Sequence, residues 1–113
     1  MAKYLISFTE GALQVSEEEL PEVVKAAHAV VDDAKDAGVW ILGGGLKHHS
    51  EATVVTPERT LVDGPQPPGD GAIAGFALIE VSTYEEALEW AAEIAAACRC
   101  DQAVRELLPT IRT

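Results

Sequence analysis

The chain has 113 residues, 48% of them hydrophobic, enough for one core and too few for two ordinary domains. Its 8 basic and 19 acidic residues leave a net charge of −11, a field that repels phosphate backbones and anionic headgroups and so excludes nucleic acid and membrane surfaces as expected partners. The start of the chain has no sustained apolar run or small-residue cleavage site, and no stretch reaches transmembrane length, so the expectation is a soluble cytoplasmic protein.

Residues 3–8 alternate Tyr4, Ile6 and Phe8 against Lys3, Leu5 and Ser7, the period of a strand with one more apolar face. Ser16 and Glu19 form a capping-box signature, and Leu20, Val23, Val24, Ala27, Val30, Val31 and Ala34 follow at helical spacing. This predicts an amphipathic helix from about Glu17 to Ala37, with Pro21 in its first turns and Gly38 as the left-handed residue that ends it. Val39 to Leu42 reads as a strand running into Gly43-Gly44-Gly45, where backbone can approach a neighbour closely. Residues 53–56 and 59–62 flank Pro57-Glu58 as a partly exposed hairpin, and prolines 65, 67 and 68 forbid regular pairing in the loop after it.

Ile73 to Val81 is a near-continuous apolar run, the pattern of a central strand covered on both faces. Thr83 with Glu86 caps a second helix whose stripe is Ala87, Leu88, Trp90, Ala91, Ile94, Ala95 and Cys98. Residues 103–108 supply a last strand. Two helices segregated from antiparallel strands predict an α+β sandwich.

Three of these stretches, with a fourth between them, carry a resemblance. Residues 37–46 (AGVWILGGGL), Asp63-Gly64-Pro65, residues 75–81 (GFALIEV) and residues 86–91 (EALEWA) are similar, in this order, to the YCII-related or DGPF domain family. The resemblance runs over nearly the whole chain and implies one such domain over residues 1–113. It implies a ferredoxin-like fold with an added β-hairpin, pairing sheet to sheet as a homodimer, a dimeric α/β barrel. It also implies a pocket between sheet and helices in each subunit. One branch of the family resembles a cofactor-free dehydrochlorinase of chlorinated hydroxyquinols that uses a His–Asp pair with its His in the first helix; other members are encoded beside alternative sigma factors. The Phe that ordinarily closes the Asp-Gly-Pro-Phe signature is Gln66 here.

The candidate catalytic residues are His28, His48, His49 and Asp63. His28 sits at the edge of the apolar stripe of the first helix, one turn before Asp32, and a carboxylate at that spacing can fix an imidazole tautomer; the alternative is a helix-flank histidine. His48 and His49 follow the glycines on a loop expected at the pocket mouth, with Glu51 or Asp63 as candidate carboxylates. Adjacent residues of an extended segment point opposite ways, so one at most is expected to face inward. The pair falls short of a recognisable metal motif, which ranks metal coordination below acid–base use, and ordinary solvated loop histidines outweigh both. Asp63 has a complete explanation as a turn residue and an even claim to the pocket rim.

Trp40, Gly44, Gln66 and Phe76 are the candidate ligand-binding residues, with core or interface packing the plainer role for Trp40 and Trp90. Cys98 and Cys100 straddle a helix end without a basic neighbour, so they read as structural thiols. No cofactor or metal is expected. Two functions stay open: a cofactor-independent lyase, isomerase or dehydrohalogenase acting on a small hydrophobic or aromatic molecule, and a non-catalytic dimeric binding or regulatory protein.

Overall fold

The computed structural model describes residues 1–62 and 72–109. The chain runs β1 (Ala2–Thr9), α1 (Leu20–Asp36), β2 (Trp40–Gly45), a short 3-10 turn (His49–Glu51), β3 (Val54–Val55) and β4 (Leu61–Val62), then β5 (Ile73–Val81), α2 (Tyr84–Cys98) and β6 (Ala103–Glu106). Four strands form an antiparallel sheet in the order β2-β5-β1-β6, and β3 pairs with β4 alone. This is the α+β sandwich that the pattern of strands and helices predicts, in the ferredoxin-like form that the family resemblance implies. Among the described residues no helix is long and apolar enough to cross a membrane.

Local chemistry explains where each element starts and stops. Ser16 Oγ accepts from the Glu19 N–H at 3.2 Å and donates to the Glu19 carboxylate at 3.0 Å, but these bonds close the turn ahead of the helix and do not cap it: the N-cap of α1 is Glu19, without a side-chain cap. The regular helix begins three residues later than the expected Glu17, because residues 17–19 form a hydrogen-bonded turn before Leu20, and Pro21 fixes φ in the helix's first turn. At the other end Gly38 takes φ +77°, and Val39 N–H reaches back to the Ala34 carbonyl at 3.1 Å, a Schellman closure that turns the chain into β2. Thr83 Oγ1 caps α2 by accepting from Glu86 N–H at 3.2 Å. Thr83→Ala should therefore lower stability by about 1 kcal/mol in denaturant titration.

The core lies between the sheet and the two helices. Tyr4 and Ile6 of β1, Ala77, Ile79 and Val81 of β5, and Ala87 and Ala91 of α2 are buried together, with Trp40, Trp90, Ile94 and Val104 packed around them. The register sets Ile6 opposite both Ala77 and Val104, which puts the alternate residues Leu5, Phe76 and Leu78 on the opposite face. Along β5 burial alternates: residues 75, 77, 79 and 81 are buried, and their neighbours are half-buried. A central strand covered on both faces is thus realised on its helix side only within one chain. The hairpin forms around Thr56, whose carbonyl accepts from Arg59 N–H at 2.8 Å while Arg59 takes φ 68°. Val54, Val55, Leu61 and Val62 are all exposed on it.

Candidate functional site

Two glycines shape the space under α1. A Cβ on Gly43 would stand 2.8 Å from Trp40 Cη2, and one on Gly75 would stand 2.6 Å from Phe8 Cε1. The indole and the phenyl ring therefore pack against strand backbone where side chains are missing. Between this aromatic floor and α1 runs an apolar groove of about 380 Å³, walled on the helix side by Val24, Ala27, His28 and Val31. Trp40, Gly44 and Phe76 all border it, although the register turns the Phe76 side chain to the other face of the sheet. Cys98 reaches it from α2, and burial, with the Cys100 thiol nearby, pushes the Cys98 thiol above its ordinary value. It is a packing thiol, not an activated one.

His28 is the imidazole of the groove wall. No hydrogen bond or ion pair joins it to Asp32, so the carboxylate expected to orient it does not do so. Asp63 and Gln66 lie outside the described residues.

His48 and His49 meet a different carboxylate from either expected one. β1 and β2 both run antiparallel to β5, which lies between them, so both leave the sheet where β5 begins; Glu10 N–H bonds to the Ala72 carbonyl and Leu46 N–H to the Ala74 carbonyl. Glu10 and the residues after β2 then close over the start of that strand. Glu10 Oε2 accepts from the His49 backbone N–H at 2.7 Å, and Oε1 lies 2.5 Å from His49 Nδ1 and 3.7 Å from His48 Nε2. Glu51 makes no such contact with either ring.

Both imidazoles converge on this one carboxylate, with ring centroids 4.1 Å apart, contrary to the strict alternation of an extended segment. The reason is local: His48 is extended at φ −56° and ψ 148°, whereas His49 already begins the 3-10 turn, so the second ring swings back beside the first. His48 Nδ1 lies 2.9 Å from Ser50 Oγ, which fixes the ring from its far side. Glu10 and His49 side chains are mostly buried and His48 stands open, at 16%, 23% and 58% exposure. Burial pushes the Glu10 carboxyl up, but the hydrogen bonds from His49 and the two nearby imidazoles outweigh it and hold the group below its usual value.

The family model of the YCII-related domain matches residues 3–109. The chain belongs to the YCII-related domain family. No curated protein matches it. Within a YCII-related chain, then, the structure presents an apolar groove with one imidazole in its wall and, at the end of the sheet where β5 begins, a Glu10–His48–His49 cluster. The groove imidazole lacks a carboxylate, and the imidazole that has a carboxylate is not among the groove-lining residues. Sequence reasoning missed Glu10. The available signal was topological: in a sheet ordered β2-β5-β1, polar residues just past the ends of the first two strands are neighbours.

Proposed function

We propose that this YCII-related protein binds a small hydrophobic or aromatic molecule in the groove beneath α1 and works as a homodimer joined through the helix-free faces of its sheets. The observation that carries the binding reading is the groove itself, with aromatic rings on its floor, aliphatic side chains on its helix wall, and His28 as the polar handle suited to a hydroxyl or carboxylate on the ring. The imidazole in the wall favours a second reading, in which His28 moves a proton on the bound molecule as a cofactor-free lyase, isomerase or dehydrohalogenase. His28→Ala separates the two: a binder keeps most of its affinity, and an enzyme loses turnover while still binding.

Cys98 offers the direct test. Because both thiols are held above their ordinary values, alkylation is followed near pH 9, with Cys100 as internal reference. Aromatic lactones and chlorinated phenols are screened by thermal shift. A groove ligand is expected to slow Cys98 modification selectively and to change Trp40 fluorescence, whereas a stabilising compound that leaves both unaltered binds elsewhere and sinks the groove assignment.

A further inference from the structure

We propose that Glu10, His48 and His49 form a binding site for a divalent transition metal ion, with Glu10 Oε1, His48 Nε2 and His49 Nδ1 as ligands and a remaining position open to water or substrate. The three side chains offer one donor atom each, all within 4.8 Å of one another. A site for Zn²⁺ built from two imidazoles and one carboxylate with an open fourth position is a chemically familiar donor set, and imidazole with carboxylate suits Zn²⁺, Co²⁺ or Ni²⁺ better than the all-oxygen preference of Mg²⁺ or Ca²⁺. This inference does not depend on the groove's ligand.

Three features go beyond the mere proximity of the groups. First, the Glu10 carboxylate is oriented: the His49 backbone N–H holds Oε2 at 2.7 Å, which leaves Oε1 as the atom facing both imidazoles. Second, His48 is positioned from behind: Nδ1 accepts from the Ser50 backbone N–H at 3.3 Å and lies 2.9 Å from Ser50 Oγ, which directs Nε2 at the cluster; ligation through Nε2 would move the ring proton to Nδ1, where the Ser50 hydroxyl stands ready to accept it as an outer-sphere partner. Third, the spacing needs little change. Two atoms each about 2.1 Å from a tetrahedral metal lie roughly 3.4 Å apart. The His48 Nε2 to Glu10 Oε1 distance of 3.7 Å is close to that already. His49 Nδ1 and Oε1, hydrogen-bonded at 2.5 Å, would part by about 1 Å as the metal takes the place of the proton between them. The exposed edge of His48 leaves a path for the ion.

The test is equilibrium titration of the chelator-stripped full chain with Co²⁺, read by its visible absorption. One Co²⁺ per chain is expected, with a band of nitrogen and oxygen ligation. Affinity should fall in Glu10→Gln, His48→Ala and His49→Ala by at least the roughly tenfold to hundredfold that loss of an outer-sphere partner causes, while His28→Ala binds as the parent does. His48 is mostly exposed, so His48→Ala keeps the test readable even where a Glu10 variant folds poorly. Absence of saturable binding, a near-ultraviolet thiolate charge-transfer band assigning the ion to Cys98 and Cys100, or undiminished affinity in His48→Ala and His49→Ala would each overturn the site and leave the cluster a hydrogen-bonded group only.

Discussion

Gly43→Ala is expected to lower the melting temperature by about 10 °C, whereas Gly44→Ala, one residue on, should leave it unchanged or slightly raised. The added methyl at position 43 would meet the Phe76 carbonyl oxygen at 2.5 Å, Trp40 Cη2 at 2.8 Å and Ala77 Cα at 3.0 Å. Two of those three atoms are backbone of the adjacent strand, which cannot turn aside without breaking the β2-β5 pairing of Gly43 with Ala77. Overpacking of this kind costs about 1–3 kcal/mol, and the backbone obstruction places Gly43 near the top of that range. For a domain of this size each kcal/mol moves the midpoint by roughly 4 °C. A Cβ at Gly44 meets nothing within 4 Å, so Gly44→Ala keeps the contacts and restricts the unfolded chain, worth up to about 1 kcal/mol in favour of folding. Differential scanning calorimetry of the two variants decides the point, since equal midpoints would show that β2 yields freely. The same methyl lifts Trp40 off the groove floor, so Gly43→Ala should also weaken whatever the groove binds.

The contrast between these two glycines shows what the sequence could and could not disclose. Periodicity carried the two helices and the long strands, because apolar side chains at fixed spacing report a buried face whatever they pack against: Ile73–Val81 and the Thr83-capped helix stand where the pattern puts them. The glycine run announces a close approach without saying to what. Only the register, Gly43 beside Ala77 with the Trp40 ring folded over it, makes one of the three indispensable. Trp40, Gly44 and Phe76 were accessible as groove residues because each lies on or beside that run or its partner strand. Glu10 was not, because its meeting with His49 spans 39 positions and is set by the ends of two strands separated by a third. The helical i to i+4 spacing of His28 and Asp32, by contrast, overstated a contact: it permits a hydrogen bond, but both side chains are exposed and water serves them as well.

If the proposed homodimer forms through the helix-free sheet faces, Leu78→Arg is expected to halve the solution mass, from twice the 12.0 kDa chain to the chain mass itself, in light scattering at micromolar concentration. Leu5 and Leu78 are direct partners across β1 and β5, on the sheet face away from the helices, with Ser7 opposite Phe76 next to them and Leu42 paired to Leu78 from β2. Leu5, Phe76 and Leu78 are half-buried by their neighbours alone, and Leu42 is 50% exposed, so this face presents aliphatic and aromatic surface with no helix to cover it. A sheet with one uncovered apolar face is stable in water when a second layer covers it, and in the proposed homodimer a second copy would supply one through a two-fold contact. In such an isologous interface every substitution enters twice, so an arginine at position 78 would bring two unpaired charges into the same contact, each costing about 3–5 kcal/mol when buried without a partner. That outweighs what a standard interface retains, while the helix-side core of Ile6, Ile79 and Val81 is untouched and the monomer should keep its far-ultraviolet dichroism. Lys3 and Glu80, paired at the edge of the same face, already carry charge, so Lys3→Glu serves as the control that should leave the dimer mass intact. A variant at Leu78 that keeps the doubled mass would move the interface off the sheet, and the exposed apolar residues of the β3-β4 hairpin would be the next surface to substitute.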